Sequence, residues 1–286
     1  LKKPEVHLRP YVPSFNIKLP KPATRKKGEL VTALLWGDTH APYHDPNVLS
    51  IFQAIAEDVQ PTHLVHMGDG VDCYKLSTYD KDPERLQSQQ EEIDMAREHL
   101  AAMRKASPRS TMRFLEGNHE DRLRRLLWRL EGPAAVLASL TSFKQAMTWP
   151  ALLGLKDLGC EFIRYNEQTR KIFLPKFLVK HGNLVRKGSA MTARAEHEKY
   201  GMSGASGHTH RLGQFMTRDH NGNQIWIETG CGCDLNPDYC QDPDWQNGAL
   251  SLTFEPETGA FEAVSIYVHK GLAVFGGKVY GKRRRD

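Results

Sequence analysis

The chain has 286 residues, of which 40% are hydrophobic, 9% aromatic and 26% charged, and carries a formal net charge of +5. That composition excludes disorder over most of the length and is ample for one large buried core. No apolar run reaches the ~20 residues of a membrane span, and no stretch of roughly 7–15 apolar residues marks a signal peptide. The five cysteines lack framework spacing and point to reduced thiols, so a soluble cytoplasmic protein is expected.

Residues 1–29 read as a basic arm whose prolines at 4, 10, 13, 20 and 22 favour an extended chain. A first strand is expected at 31–36, a helix at 47–58 from apolar residues at helical spacing, and a second strand at 62–67. Asp82 and Pro83 read as an N-cap and first-turn proline opening a long helix to about residue 105. There follow a third strand at 111–115, a helix at 120–130, further helix over 133–157, short strands at 161–164, 171–174 and 177–180, and a helix at 189–200. Turn signals then mark hairpins over 214–228 and 249–268. Strand–helix alternation giving way to antiparallel strands predicts one α/β domain with mixed sheets over 30–269. Residues 270–286, with Lys270, Lys278, Lys282, Arg283, Arg284 and Arg285, read as a basic tail. Basic extensions suit a polyanionic partner, because lysine and arginine gain affinity by releasing counterions from phosphates, although they also serve solubility alone.

The ends of the predicted segments carry the chemistry. Strand 31–36 delivers Gly37, Asp38, Thr39 and His40, and strand 62–67 delivers Gly68, Asp69, Gly70 and, further on, Asp72. Strand 111–115 leads to Gly117, Asn118, His119 and Glu120, strand 177–180 to His181, and the segment 202–206 to Gly207, His208, Thr209 and His210. Five segments end in carboxylates, an amide or imidazoles beside a glycine, at the strand ends where α/β sheets bind ligands. Asp38, His40, Asp69, Asn118, His181, His208 and His210 make seven oxygen and imidazole donors. That is too many for one ion and suits two ions sharing a bridge, the arrangement used in phosphoryl hydrolysis.

This ordered series resembles the calcineurin-like metallophosphoesterases, whose signature is matched block by block over residues 37–210. The resemblance implies a four-layer α/β-β/α sandwich of two mixed sheets with two divalent ions at the strand ends. Mn²⁺ is the first expectation, with Fe, Zn²⁺, Ni²⁺ or Mg²⁺ as alternatives. Carried over by position, Asp38, His40 and His210 would hold one ion and Asn118, His181 and His208 the other, with Asp69 bridging. A hydroxide bridging the ions would attack phosphorus, His119 would protonate the departing oxygen, and Asp72 would orient that histidine. In the protein Ser/Thr phosphatases an arginine follows the position of Asp72, and Cys73 stands there instead. The nucleotidase and purple acid branches carry extra domains or secretion signals that are not seen. The small phosphodiesterase and nuclease branches remain, and the layout also resembles compact bacteriophage phosphoesterases.

The expected function is therefore hydrolysis of phosphodiester bonds in nucleic acid or a nucleotide. A phosphomonoesterase acting on nucleotides, nucleic acid ends or phosphoproteins is the alternative, and a nucleic-acid-binding protein without catalysis a third. Arg122, Arg125 and Arg129 share one face of the helix after the site, where they read either as a solvated face or as a phosphate track, with Arg122 nearest the donors. Cys231, Cys233 and Cys240 read as free thiols rather than a zinc site. Tyr239 and Trp245 read as loop anchors or base-stacking groups. His66 and His99 have no motif context and take no role.

Overall fold

The computed structural model describes residues 19–20, 28–78, 80–81, 85–220, 222–237, 240 and 242–282. Strand β1 (Val31–Trp36) is apolar on both faces and is followed by helix α1 (Pro46–Val59). The Asp45 carboxylate caps α1 by accepting the N–H groups of Asn47 (2.9 Å) and Val48 (3.3 Å), and Pro46 fills the first turn. Strand β2 (His63–His66), helix α2 (Gln89–Ala106) and strand β3 (Thr111–Leu115) come next. Helix α2 starts later than its sequence suggests. Ser88 caps it, with Glu91 completing a reciprocal capping box, and residues 85–88 are not helical. The Asp82-Pro83 signal lies outside the described residues.

Helix α3 (Asn118–Trp128) leads into the short helices α4 (Gly132–Ser139), α5 (Thr141–Ala146) and α6 (Trp149–Leu152). Strands β4 (Cys160–Ile163) and β5 (Leu178–Lys180), helix α7 (Met191–Tyr200) and strand β6 (Gly204–Ser206) follow. Residues 171–174, expected as a strand, form no strand; Leu174 makes only an isolated bridge to Phe177. The chain then runs through β7 (Leu212–Asp219), β8 (Gly222–Thr229), β9 (Gly248–Phe254) and β10 (Phe261–His269). The last two strands, β11 (Leu272–Phe275) and β12 (Lys278–Gly281), correct the boundary of the expected tail. They form a hairpin across Gly276 and Gly277, both at positive φ, and β11 pairs with β10. Lys278 there meets the Asp58 carboxylate at 2.7 Å rather than extending as a free cation.

Among the described residues the strands form two mixed sheets, ordered β12-β11-β10-β9-β1-β2-β3-β4 and β5-β6-β8-β7. Strands β1 to β4 run parallel, as do β5, β6 and β8. The period of two along each strand sorts the side chains into layers. Ala33, Leu35, Val65 and Met67 of the large sheet meet Phe177, Val179, Ile225 and Ile227 between the sheets. Leu34 and Trp36 face outward onto Ile51, Phe52 and Ile55 of α1 and Leu100 and Met103 of α2. On the far side of the small sheet, Leu178 and Trp226 pack on Ala193 of α7. The result is the expected four-layer α/β-β/α sandwich.

Candidate metal centre

Beyond their last ladder residues, β1 and β2 stay paired through their loops. The N–H of Asp38 donates to the Gly68 carbonyl (2.9 Å), that of His40 to Asp69 (2.9 Å) and that of Ala41 to Gly70 (3.0 Å). Asp38 (φ 49°), His40 (φ 46°), Asp69 (φ 49°), His208 (φ 71°) and His210 (φ 58°) are all left-handed. Non-glycine residues pay about 1–2 kcal/mol for that conformation, so it persists only where the surroundings enforce it. Here it turns alternate side chains of each loop inward together.

Two groups of donors result. In the first, His40 Nε2 lies 3.0 Å from His210 Nε2, and His210 Nε2 lies 3.3 Å from Asp38 Oδ1. In the second, His181 Nε2 lies 3.2 Å from Asp69 Oδ2 and 2.9 Å from Asn118 Oδ1, and His208 joins Asp69 and His181 with donor atoms within 4.8 Å of one another. Asp69 Oδ2 is shared by the two groups, lying 3.2 Å from His181 Nε2 and 3.7 Å from His40 Nε2. All seven donors expected from the sequence are brought together.

The residues present fit divalent cations. Asp38 Oδ2 is buried with no hydrogen-bond partner among the described residues, a cost that an ion would remove. The outer ring nitrogens are already engaged: His40 Nδ1 contacts Asp72 Oδ1 (3.3 Å) and His181 Nδ1 donates to the Met67 carbonyl (2.9 Å). Each Nε2 is thereby turned inward, where a cation would take the lone pair of the neutral ring, as a metal-binding histidine requires. Burial pushes His208 down to about 4 and also lowers His40, keeping both neutral. Burial opposes ionisation of Asp69, but the imidazoles of His181 and His119 outweigh it and hold the carboxyl well below its usual range. For His181, burial is in turn outweighed by the Asp69 carboxylate, which lifts the imidazole to about 9.

His119 occupies the first turn of α3, where its backbone N–H donates to Asp69 Oδ1 (2.9 Å). Its Nδ1 lies 2.6 Å from the Asp72 carbonyl oxygen and 3.3 Å from that residue's carboxylate. Asp72 thus holds the ring mainly through its backbone, and its carboxylate is shared with His40. Arg122, one turn on, donates from Nη1 to the Asp72 carbonyl (2.8 Å) and places Nη2 3.0 Å from His119 Nε2. The arginine face does not continue as a track. Arg125 pairs with Asp121 (2.6 Å), and Arg129 donates to the Arg125 carbonyl (3.2 Å).

Three features escaped the sequence. The Glu120 carboxylate, fully buried, accepts the N–H groups of Asp69 (2.9 Å), Gly70 (2.8 Å), Val71 (3.1 Å) and Gly117 (2.8 Å), tying the two loops together. Gly117 is required by this closeness, since a Cβ there would lie 2.0 Å from Asp69 Oδ1. Cys233 Sγ lies 3.8 Å from His210 Nδ1, and Cys231 belongs to the same buried group, whereas Cys240 does not. The only sequence signal for this was the Cys-Gly-Cys spacing. Trp245 sets its ring edge-on to His210 at 4.3 Å, and Tyr239 lies outside the described residues.

A model of the calcineurin-like phosphoesterases matches residues 32–212, from β1 to the start of β7, which is the span carrying both donor groups. Among solved structures, the chain is similar to vacuolar protein sorting 29 from Cryptosporidium parvum, with 12% identity over 88% of this chain and 99% of that one and a TM-score of 0.45. It is also similar to YfcE, a phosphoesterase from E. coli, with 9% identity over 84% of this chain and 100% of that one and a TM-score of 0.35. No curated protein matches the chain significantly. With more than half of its length matched, the chain belongs to the calcineurin-like phosphoesterase family, whose members are metal-dependent phosphoester hydrolases.

Proposed function

We propose that this protein is a phosphodiesterase that uses two divalent cations, Mn²⁺ foremost, on nucleic acid or a nucleotide-like diester. The observation that carries this reading is the position of Asp69 Oδ2, 3.2 Å from His181 and 3.7 Å from His40, between two three-sided groups of donors. Asp38, His40 and His210 would hold one cation and Asn118, His181 and His208 the other, with Asp69 shared between them. When bound, such a pair neutralises charge on the phosphoryl oxygens and makes water a nucleophile at neutral pH.

The chain's own groups do the rest. His119 gives a proton from Nε2 to the departing oxygen, and the Asp72 carbonyl keeps the other ring nitrogen protonated. Arg122 takes a phosphoryl oxygen with Nη2, the nitrogen that now meets His119, while Nη1 stays on the Asp72 carbonyl. Cys73 supports a diester over a monoester: the arginine that follows this position in the protein Ser/Thr phosphatases is replaced by a thiol, and Arg122, which donates to the neighbouring Asp72 carbonyl, is the guanidinium offered to the phosphate. The five free thiols support a reducing, cytoplasmic location, and no helix among the described residues is long and apolar enough to cross a membrane.

The test is a labelled oligonucleotide incubated with Mn²⁺ and either wild-type protein or Asp69→Asn. Cleavage by the wild type alone is expected, with the bound metal of Asp69→Asn falling in proportion. A gel shift with no cleavage by the metal-loaded wild type would favour a binding protein instead.

A further inference from the structure

A cavity of about 500 Å³ lies beside the metal centre, between α3, the α5–α6 segment and the end of β4. Its apolar walls come from Leu123 and Leu127 of α3, Trp149 of α6 and Phe162 of β4. Trp128 stands at the mouth, 70% exposed, with the Arg124 guanidinium stacked over its ring at 4.3 Å. The other exposed cations lining the cavity are Lys144 and Arg164, the latter acting through space on the Glu116 carboxylate in the same wall.

The topology places this cavity next to the metal centre. Strands β3 and β4 are parallel neighbours, so residues 116–118 after β3 and 164–166 after β4 leave the same carboxyl edge of the sheet. Glu116, Tyr165 and Asn166 line the cavity, while Asn118 lies in the donor group. Tyr165 links the two sites: its ring centroid is 6.3 Å from that of His181, and its hydroxyl donates to the Gly182 carbonyl (2.7 Å). Ligands of such sheets bind along this edge, and volumes of roughly 300–1,000 Å³ accommodate small organic groups.

The lining narrows the occupant. An inorganic anion would leave the aromatic walls unused, and a neutral aliphatic group would leave Lys144 and Arg164 unused. A planar aromatic base attached to phosphate uses both. We propose that the cavity is a nucleoside subsite, in which a base next to the scissile phosphate stacks on Trp128 while Lys144 and Arg164 contact the adjoining phosphate. This rests on the phosphodiesterase reading for which bond is cut, but the occupant is argued from the cavity alone.

The test separates the two claims. In EDTA, fluorescence anisotropy compares a labelled six-residue oligothymidylate with an abasic backbone of equal length and charge, which subtracts binding to the backbone alone. Wild-type protein is expected to favour the base-bearing strand by roughly tenfold or more. Trp128→Ala should bring the two affinities within about twofold, and Trp128→Phe should restore the preference. Equal affinity for both strands in the wild type, or a preference that survives Trp128→Ala, would overturn the assignment. The exposed Val136 and Leu137 of α4 nearby would then point to a protein partner for this face. A base preference lost in Trp128→Ala, together with no hydrolysis of any diester by Mn²⁺-loaded protein, would sink the phosphodiesterase reading and leave the nucleoside subsite standing. Diester hydrolysis without base preference would do the reverse.

Discussion

Nη2 of Arg122 lies 3.0 Å from Nε2 of His119, and because a guanidinium only donates, the histidine accepts there and carries its proton on Nδ1. To protonate a leaving group from Nε2, the ring must gain a second proton and Arg122 must move off. A phosphoryl oxygen is the natural competitor for that guanidinium, so substrate entry would itself release the acid. His119→Ala should therefore lower kcat on a dinucleotide by roughly 10²–10⁴-fold, the usual worth of general acid catalysis, while both cations stay bound. On bis(p-nitrophenyl) phosphate, whose phenolate leaves without protonation, the same variant should lose far less. Equal losses on both substrates would remove His119 from the acid role.

Arg122→Ala should lower kcat/KM on the dinucleotide by about ten- to a hundredfold, the worth of a charge-assisted hydrogen bond of roughly 1.5–3 kcal/mol. Arg122→Lys should recover only part of it, because an ammonium lacks the planar fork. Unchanged steady-state kinetics in Arg122→Ala would mean that the arginine merely braces the Asp72 carbonyl.

Glu120 concerns stability as well as the site. An amide in its place keeps one acceptor oxygen and turns an NH₂ group toward backbone donors that now point at a carboxylate. Glu120→Gln should cost roughly 2–4 kcal/mol in urea unfolding and reduce metal uptake, because the Asp69 and Gly117 loops lose their tie. A variant of wild-type stability would show that the loops hold themselves.

His66 supplies a pH dependence of stability unrelated to catalysis. It stacks on Phe114 at 4.6 Å, meets Trp36 edge-on at 5.5 Å, and accepts the Gly68 N–H on Nδ1 (3.2 Å), a bond only the neutral ring can make. Burial pushes its pKa down to about 3 from 6.5. With the folded value depressed, the unfolded chain binds the extra proton between these limits, so stability falls as pH drops below about 6.5 and is unaffected above it. Integrated from pH 7 to pH 5, this one group removes about 2 kcal/mol. Urea unfolding at the two pH values should show a smaller drop in His66→Phe than in wild type by that amount. Equal drops would mean that His66 protonates without resistance in the folded state.

The donor residues were legible because each strand-end loop that carries them holds a glycine; β1, β2 and β3 bring Asp38, His40, Asp69 and Asn118 to one edge of the large sheet, and β5 and β6 bring His181, His208 and His210 from the small one. Elements defined by local chemistry were less so. The Asp82-Pro83 pair is as good an N-cap signal as Ser88, and only the reciprocal bond between Ser88 and Glu91 decides between them. The β11–β12 hairpin was hidden by its charge: its lysines suggested a tail, although Gly276 and Gly277 flanked by apolar residues carried the turn signal. The role of Glu120 could not be read at all, and for Cys233 the Cys-Gly-Cys spacing was too weak a signal to point to His210. Glu120 reaches back to residues 69–71 and Cys233 to His210, and no local pattern encodes such distant pairings.

The most direct measurement of the central claim is hydrolysis by Mn²⁺-loaded protein of bis(p-nitrophenyl) phosphate and p-nitrophenyl phosphate, side by side at equal concentration. Faster release of p-nitrophenol from the diester is expected, since Cys73 stands where the protein Ser/Thr phosphatases carry an arginine that grips the phosphate. Preference for the monoester would contradict it and make the protein a phosphatase, and silence on both substrates with two cations bound would contradict catalysis itself.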